Sequence, residues 1–162
     1  MPVLGAIDRL GDIPREAVVV AIGDNKTRQT MFDNLQRQGE HFVTACHPRA
    51  IIAPGVVIGP GCMVCAGVIV NPASIIGANT ILNTGCTLDH HNRIGAHSHI
   101  APGAHLGGEV TVGQGALVGI GATVMPRRSV GDWSVVGAGA CVVEDVPAGV
   151  TVVGVPAKPL NR

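Results

Sequence analysis

The stretch Leu106-Gly107-Gly108-Glu109-Val110-Thr111-Val112-Gly113-Gln114-Gly115-Ala116-Leu117-Val118-Gly119-Ile120-Gly121-Ala122-Thr123-Val124 decides the fold. Leu106, Val112, Val118 and Val124 stand six apart and are aliphatic, while Val110, Ala116 and Ala122 follow an aliphatic residue by four places and are small. A helix has 3.6 residues per turn and cannot hold a six-residue row on one side. Followed outward, the aliphatic row runs through Ile52, Ile58, Val64, Val70, Ile76, Leu82, Leu88, Ile94 and Ile100 on one side and Val130, Val136 and Val142 on the other. The second row, from Val56 to Val146, is small apart from Asn92 and Arg128. Such a repeat predicts a parallel β-helix in which each rung buries one aliphatic row against the next.

Each hexapeptide reads as a short strand and a corner. Glycine follows the aliphatic residue in Ile58-Gly59, Ile76-Gly77, Ile94-Gly95, Val112-Gly113, Val118-Gly119, Val130-Gly131 and Val136-Gly137. Corners demand unusual φ/ψ values or close backbone approach, and glycine supplies both. Pro54, Pro60, Pro72, Pro102 and Pro126 fall two places after the aliphatic residue, where a missing N–H breaks no ladder. Cys62 and Cys86 lie in the small row and read as small apolar residues. The five cysteines show neither metal nor disulfide spacing, which points to a reducing, cytoplasmic setting.

Residues 1–48 follow a different rule. Ala17-Val18-Val19-Val20-Ala21-Ile22-Gly23 reads as a buried parallel strand. A helix is predicted over about Lys26–Gln38, capped by Asp24 or Asn25 and stopped by Gly39. His41–Ala45 reads as another strand and Val3–Ile7 as one more, with a helical turn near Arg9–Leu10. The expected division is a partial α/β segment at 1–48 and the β-helix at 49–162. Eleven basic residues balance eleven acidic ones, and no basic cluster suggests nucleic acid. No segment reads as a membrane span or secretory signal, so no membrane insertion is expected.

The hexapeptide pattern resembles the left-handed parallel β-helix acyltransferases, whose three-faced prism takes eighteen residues per coil. That resemblance implies the handedness and about five coils over 51–146. The whole chain resembles the sugar acetyltransferases of the sialic acid O-acetyltransferase and bacillosamine N-acetyltransferase type. Their β-helix follows a small Rossmann-like nucleotide-sugar domain. Val3-Leu4-Gly5, Ala21-Ile22-Gly23-Asp24-Asn25 and His47-Pro48 look like its second half. The Gly-rich turn of the first half is not found before residue 50.

Four of seven histidines lie between 90 and 99. Acetyl transfer to an amine or hydroxyl needs a base, and imidazole titrates in the right range. In the family, a segment resembling Asn83-Thr84 through Asp89-His90-His91 carries the catalytic histidine, which implies His90 as general base with Asn83 and Asp89 in support. The neighbour of that histidine is often Glu; here it is His91, which brings no negative charge. The resemblance places His99, and with it His91, at the acceptor. It places a backbone N–H of Gly108 at the thioester oxygen, Ile120 and Ala138 along the pantetheine arm, and Lys158 near the adenosine phosphates. It implies acetyl-CoA as acyl donor, a nucleotide-linked or activated sugar as acceptor, no metal, and a homotrimer. Two other readings remain open. One is a β-helix scaffold without catalysis. The other is a zinc carbonic anhydrase of the same fold, which needs two histidines five places apart, and no pair here has that spacing.

Overall fold

The computed structural model describes residues 5–160, and they form a three-sided parallel β-solenoid with a small α/β lobe on one side. One face stacks Ala45–Cys46, Met63–Val64, Ile81–Leu82, His99–Ile100, Leu117–Val118, Val135–Val136 and Thr151–Val153. This is face one. The second runs from Ile51–Ile52 to Cys141–Val142, and the third from Val57–Ile58 to Ser129–Val130. Partners are eighteen residues apart, as in Leu82 opposite Ile100 and Leu88 opposite Leu106. The aliphatic row faces inward: Val64, Leu82 and Val118 are buried in one continuous core. Each such side chain contributes about 1.5–3 kcal/mol over an exposed one.

The second row has a further logic. The side chains of Cys62, Thr80, Asn92 and Ser98 donate to the carbonyls of Gly77, Gly95, Gly107 and Gly113, each fifteen residues ahead. Thr44 does the same to Gly59, so the row starts before the repeat is visible in the aliphatic residues. These bonds satisfy polar groups where the prism narrows, which is why small donors suit the row. Cys62 and Cys86 are buried there, and burial pushes their thiols up to about 11 and about 12.

The corners divide the labour that the sequence assigned to one kind of glycine. A Cβ on Gly77 would stand 2.4 Å from the Ala96 nitrogen, so this glycine serves close approach between coils. Positive φ falls two places later, at Gly55, Gly61 and Gly103 after their prolines, and at Asn79, His91 and His97. Proline followed by a positive φ is the sequence habit of type II turns.

Two expectations need correction. The stack has about six turns rather than five, because it already begins at Ala45–Cys46 and continues to Thr151–Val153. The last turn is also two residues short. Val130 bridges Val146 and Val136 pairs with Val152, both sixteen apart. Val146 therefore takes an aliphatic-row place rather than one in the small row.

The lobe contains a 3-10 helix over Ile7–Asp12 and the helix α1 over Asn25–Arg37. Asp24 caps α1 by accepting from the Thr27 N–H at 2.8 Å, and Gly39 leaves it at φ +82°. The strand expected at 17–23 is reduced to a single parallel bridge between Val18 and Phe42, and Val19 is partly exposed. Val3 and Leu4, assigned to a first strand, lie outside the described residues, and Ile7 belongs to the 3-10 helix instead. Among the described residues no helix is long and apolar enough to cross a membrane.

Candidate functional site

The lobe is locked to the solenoid by Arg28. Its side chain is fully buried, and it donates to the carbonyls of Asn79, Ile22, Gly23, His97 and Ser98 and to Asn25 Oδ1. Burial lowers its pKa to about 10, so the guanidinium stays charged at neutral pH. Asn25 in turn donates to the carbonyls of Gly115 and Ala116 at 3.0 and 3.2 Å. Phe32 stacks on Phe42 and meets His97 edge-on. These contacts hold residues 23–26 against face one.

Between that loop and the face runs a groove of about 900 Å³. Asn83 and His99 stand at one part of it, and Ile120, Trp133 and Ala138 line the rest. Ile120 is exposed, and Trp133, at φ +56°, covers Gly115, where a Cβ would stand 2.4 Å from its ring. An open apolar trough with few polar groups suits a slender, flexible ligand arm.

The tautomer of His99 follows from its neighbours. Asn83 Oδ1 accepts from the Thr84 N–H at 2.8 Å, which leaves Asn83 Nδ2 to face His99 Nε2 at 3.0 Å. Nε2 is therefore an acceptor. The Gly23 backbone supports the charged form of the ring, but burial, assisted by Arg28, outweighs it and lowers the His99 pKa. His97 is likewise lowered by burial and receives Asn79 Nδ2 at 2.8 Å. Both rings are held neutral, so the unfolded chain binds more protons than the folded one below about pH 6.5. Stability is complete above that value and falls as the pH drops from it toward the folded-state values. The melting temperature is expected to fall between pH 7.5 and 5.5 and to fall less in His99→Asn; equal slopes for the two proteins would contradict this origin.

A second cluster occupies the edge between the second and third faces. His90 is exposed at the corner after Thr87–Leu88. Its N–H donates to Asp89 Oδ1 at 2.8 Å, and Asn71 Nδ2 donates to the same oxygen at 3.1 Å. The His90 N–H, then Asn71, hold the Asp89 carboxyl below the usual carboxylate range. His90 Nδ1 meets His91 Nδ1 at 3.0 Å. The ring lies over Gly108, one coil ahead: a Cβ there would stand 2.6 Å from His90 Cε1 and 2.7 Å from Nε2. The neighbouring Gly107 and Glu109 N–H groups bond to Val124 and His90 carbonyls, whereas the Gly108 N–H has no acceptor among the described residues.

Two groups thus emerge from the nine residues singled out in the sequence. Asp89, His90, His91 and Gly108 meet at one edge, and Asn83, His99, Ile120 and Ala138 share the groove. Asn83 serves His99 rather than His90. Lys158 belongs to neither group; it lies on the terminal strand and pairs with Glu144 at 3.6 Å. Arg28, Asn25 and Trp133 went unnoticed as site residues. Asn25 was legible only as a helix cap. His105 bonds to Thr87 on the second face, apart from both groups. No set of three or more His, Cys, Asp or Glu among the described residues is arranged to hold a metal ion.

No family model matches the chain, and a comparison with curated proteins finds no match. Solved structures do match. A histidine variant of GDP-perosamine N-acetyl transferase from Caulobacter crescentus, in complex with CoA and GDP-perosamine, is 41% identical. The match covers 94% of this chain and 73% of that one, with a TM-score of 0.92. The acetyltransferase domain of PglB from Neisseria gonorrhoeae, in complex with acetyl coenzyme A, is 37% identical over 98% of this chain and 78% of that one, with a TM-score of 0.95. WeeI from Acinetobacter baumannii is 30% identical over 91% and 73%, with a TM-score of 0.86.

Proposed function

The chain belongs to the hexapeptide-repeat sugar N-acetyltransferases, and we propose on that premise that it transfers acetyl from acetyl-CoA to the amino group of a nucleotide-linked sugar. The likeness to the Caulobacter enzyme, solved with CoA and GDP-perosamine, carries this reading. The pantetheine arm lies in the groove along Ile120 and Ala138, and Lys158 reaches the adenosine phosphates beyond it. The nucleotide sugar is held by the lobe at 1–48, with His99 and Asn83 beside the acceptor.

His90 is the base. His99 Nε2 is engaged by Asn83, whereas His90 Nε2 bonds to no group among the described residues. His90 takes the proton released as the amine attacks the thioester carbon and returns it to the departing thiolate. The Gly108 N–H donates to the carbonyl oxygen as charge develops on it. Asp89 holds the His90 backbone.

His90 and the groove lie on different parts of one prism. The site is therefore completed between protomers: the His90 edge of one meets the groove of its partner in a homotrimer. The protein works in the cytoplasm, where acetyl-CoA and reduced thiols are available.

Thiol release from acetyl-CoA in the presence of GDP-perosamine tests the activity, with a UDP-linked diamino sugar as the alternative acceptor. Release with neither favours the scaffold reading. Ala138→Trp is expected to weaken CoA binding at least about tenfold, since an indole at that wall obstructs the path of the pantetheine arm, while leaving the melting temperature unchanged. Unaltered affinity by calorimetry would move the cofactor elsewhere.

A further inference from the structure

Two imidazole nitrogens 3.0 Å apart hold one proton between them. His90 Nδ1 and His91 Nδ1 stand at that distance with their rings nearly perpendicular, at 84°. Neither two lone pairs nor two N–H groups are stable there, so one ring donates and the other accepts. We propose that His91 is the positioning residue of the catalytic base: its Nδ1 accepts the His90 Nδ1–H and thereby leaves His90 Nε2 free for the substrate proton. This rests on the reading of His90 as base.

Three observations support His91 as the group that holds the His90 ring, and the direction follows from the role of His90 as base. Asp89, the nearby carboxylate that sequence suggested as a support, spends Oδ1 on the His90 N–H and on Asn71 and makes no bond to the His90 ring. The backbone on either side of the pair is fixed by adjacent coils. The His91 N–H donates to the Pro72 carbonyl at 3.0 Å, and the His90 carbonyl accepts from the Glu109 N–H at 2.8 Å. Finally, His91 sits at φ +59°, a conformation that few non-glycine residues adopt and in which histidine is enriched. That backbone turn aims the His91 ring at its neighbour. With the proton on His90, Nε2 presents a lone pair over Gly108; with the proton on His91, Nε2 would carry the hydrogen and could accept nothing.

During the reaction the amine proton arrives on His90 Nε2, and the Nδ1–H stays between the rings. The positive charge is then stabilised by a neutral acceptor instead of a carboxylate. When Nε2 gives its proton to the departing thiolate, the starting tautomer is restored without rotation of either ring. A misassigned tautomer is costly in catalysis because the base then points its proton, not its lone pair, at the substrate.

The test combines a measurement without substrate and one with it. Nitrogen-15 NMR of the imidazoles in the full-length protein is expected to show His90 in the Nδ1–H form, and His91→Ala is expected to shift it toward Nε2–H. In thiol-release assays with acetyl-CoA and GDP-perosamine, H91A is expected to lose about 10–100-fold in kcat, less than the loss of the base itself. H91D presents only acceptor oxygens at the same branch point and tolerates positive φ. It is expected to keep kcat within about threefold of the parent. Because Ala is strained at positive φ, H91D and the nitrogen shifts decide the matter if H91A is poorly folded. The proposal is overturned by an Nε2–H tautomer of His90 in the parent protein, or by loss of activity in H91D equal to that in H91A. If the parent shows no acetyl transfer, the catalytic role falls, while the nitrogen shifts still report the direction of the bond.

Discussion

Replacing His90 by Ala lowers kcat by about 10²–10⁴-fold, the range for losing a general base, and leaves the melting temperature within a degree or two of the parent. The asymmetry follows from position. The side chain is exposed at a corner and its bonds are to the neighbouring ring, so its removal empties no core. The backbone bond from Glu109 to the His90 carbonyl survives the change. KM for acetyl-CoA stays near the parent value, since His90 is not among the residues that line the groove. The lower limb of the pH–rate profile disappears if it reports imidazole deprotonation. Full activity of the variant on a proven acceptor would transfer the role of base to another group and with it refute the reading of the edge cluster.

Replacing Arg28 by Met is expected to destabilise the protein by about 1–3 kcal/mol for each buried carbonyl left without a donor. The side chain has similar length, so packing volume is largely kept. The loss is of donors: the carbonyls of Asn79, His97 and Ser98 remain buried with no guanidinium to meet them. Asn25 also loses the bond that orients it toward Gly115 and Ala116, so the wall of the groove loosens. Melting should begin in the lobe, before the solenoid, and KM for the nucleotide sugar should rise. His99 loses a cationic neighbour and the lobe's burial of its ring together, so its pKa returns toward the ordinary value and the acid sensitivity of stability weakens. A single transition within 2 °C of the parent would show that Arg28 does not couple lobe and solenoid.

The repeat was legible because it is a one-dimensional property. Six residues make one strand and corner, eighteen make a coil, and every rung imposes the same demand, so the pattern is printed sixteen times. Its interruption was not legible: the regular register puts Val146 in the small row, and only the pairing of Val130 with Val146 and of Val136 with Val152 shows the shortened turn. The lobe was harder to read. A cap, a helix and a stop follow local rules, and Asp24, α1 and Gly39 obey them. The apolar run at 17–23 predicted a buried strand, but its state depends on what lies beside it, and a single bridge to Phe42 is what it finds.

The site divides in the same way. Sequence alone determined the six-residue repeat, the inward aliphatic row and the small row beside it. Each of these depends on a residue's place in a period. Tertiary structure alone decided which polar groups meet. Asn83 faces His99, sixteen residues on, rather than His90, seven on, because the two histidines leave the chain at different edges of the prism. Arg28 reaches carbonyls 51 to 70 residues away, through a lobe whose placement no repeat encodes. The His90 and His91 rings meet at a left-handed turn beside a carboxylate oxygen already occupied elsewhere. A period states where a backbone goes; hydrogen bonds between distant side chains depend on angles and distances that exist only after the coils have stacked.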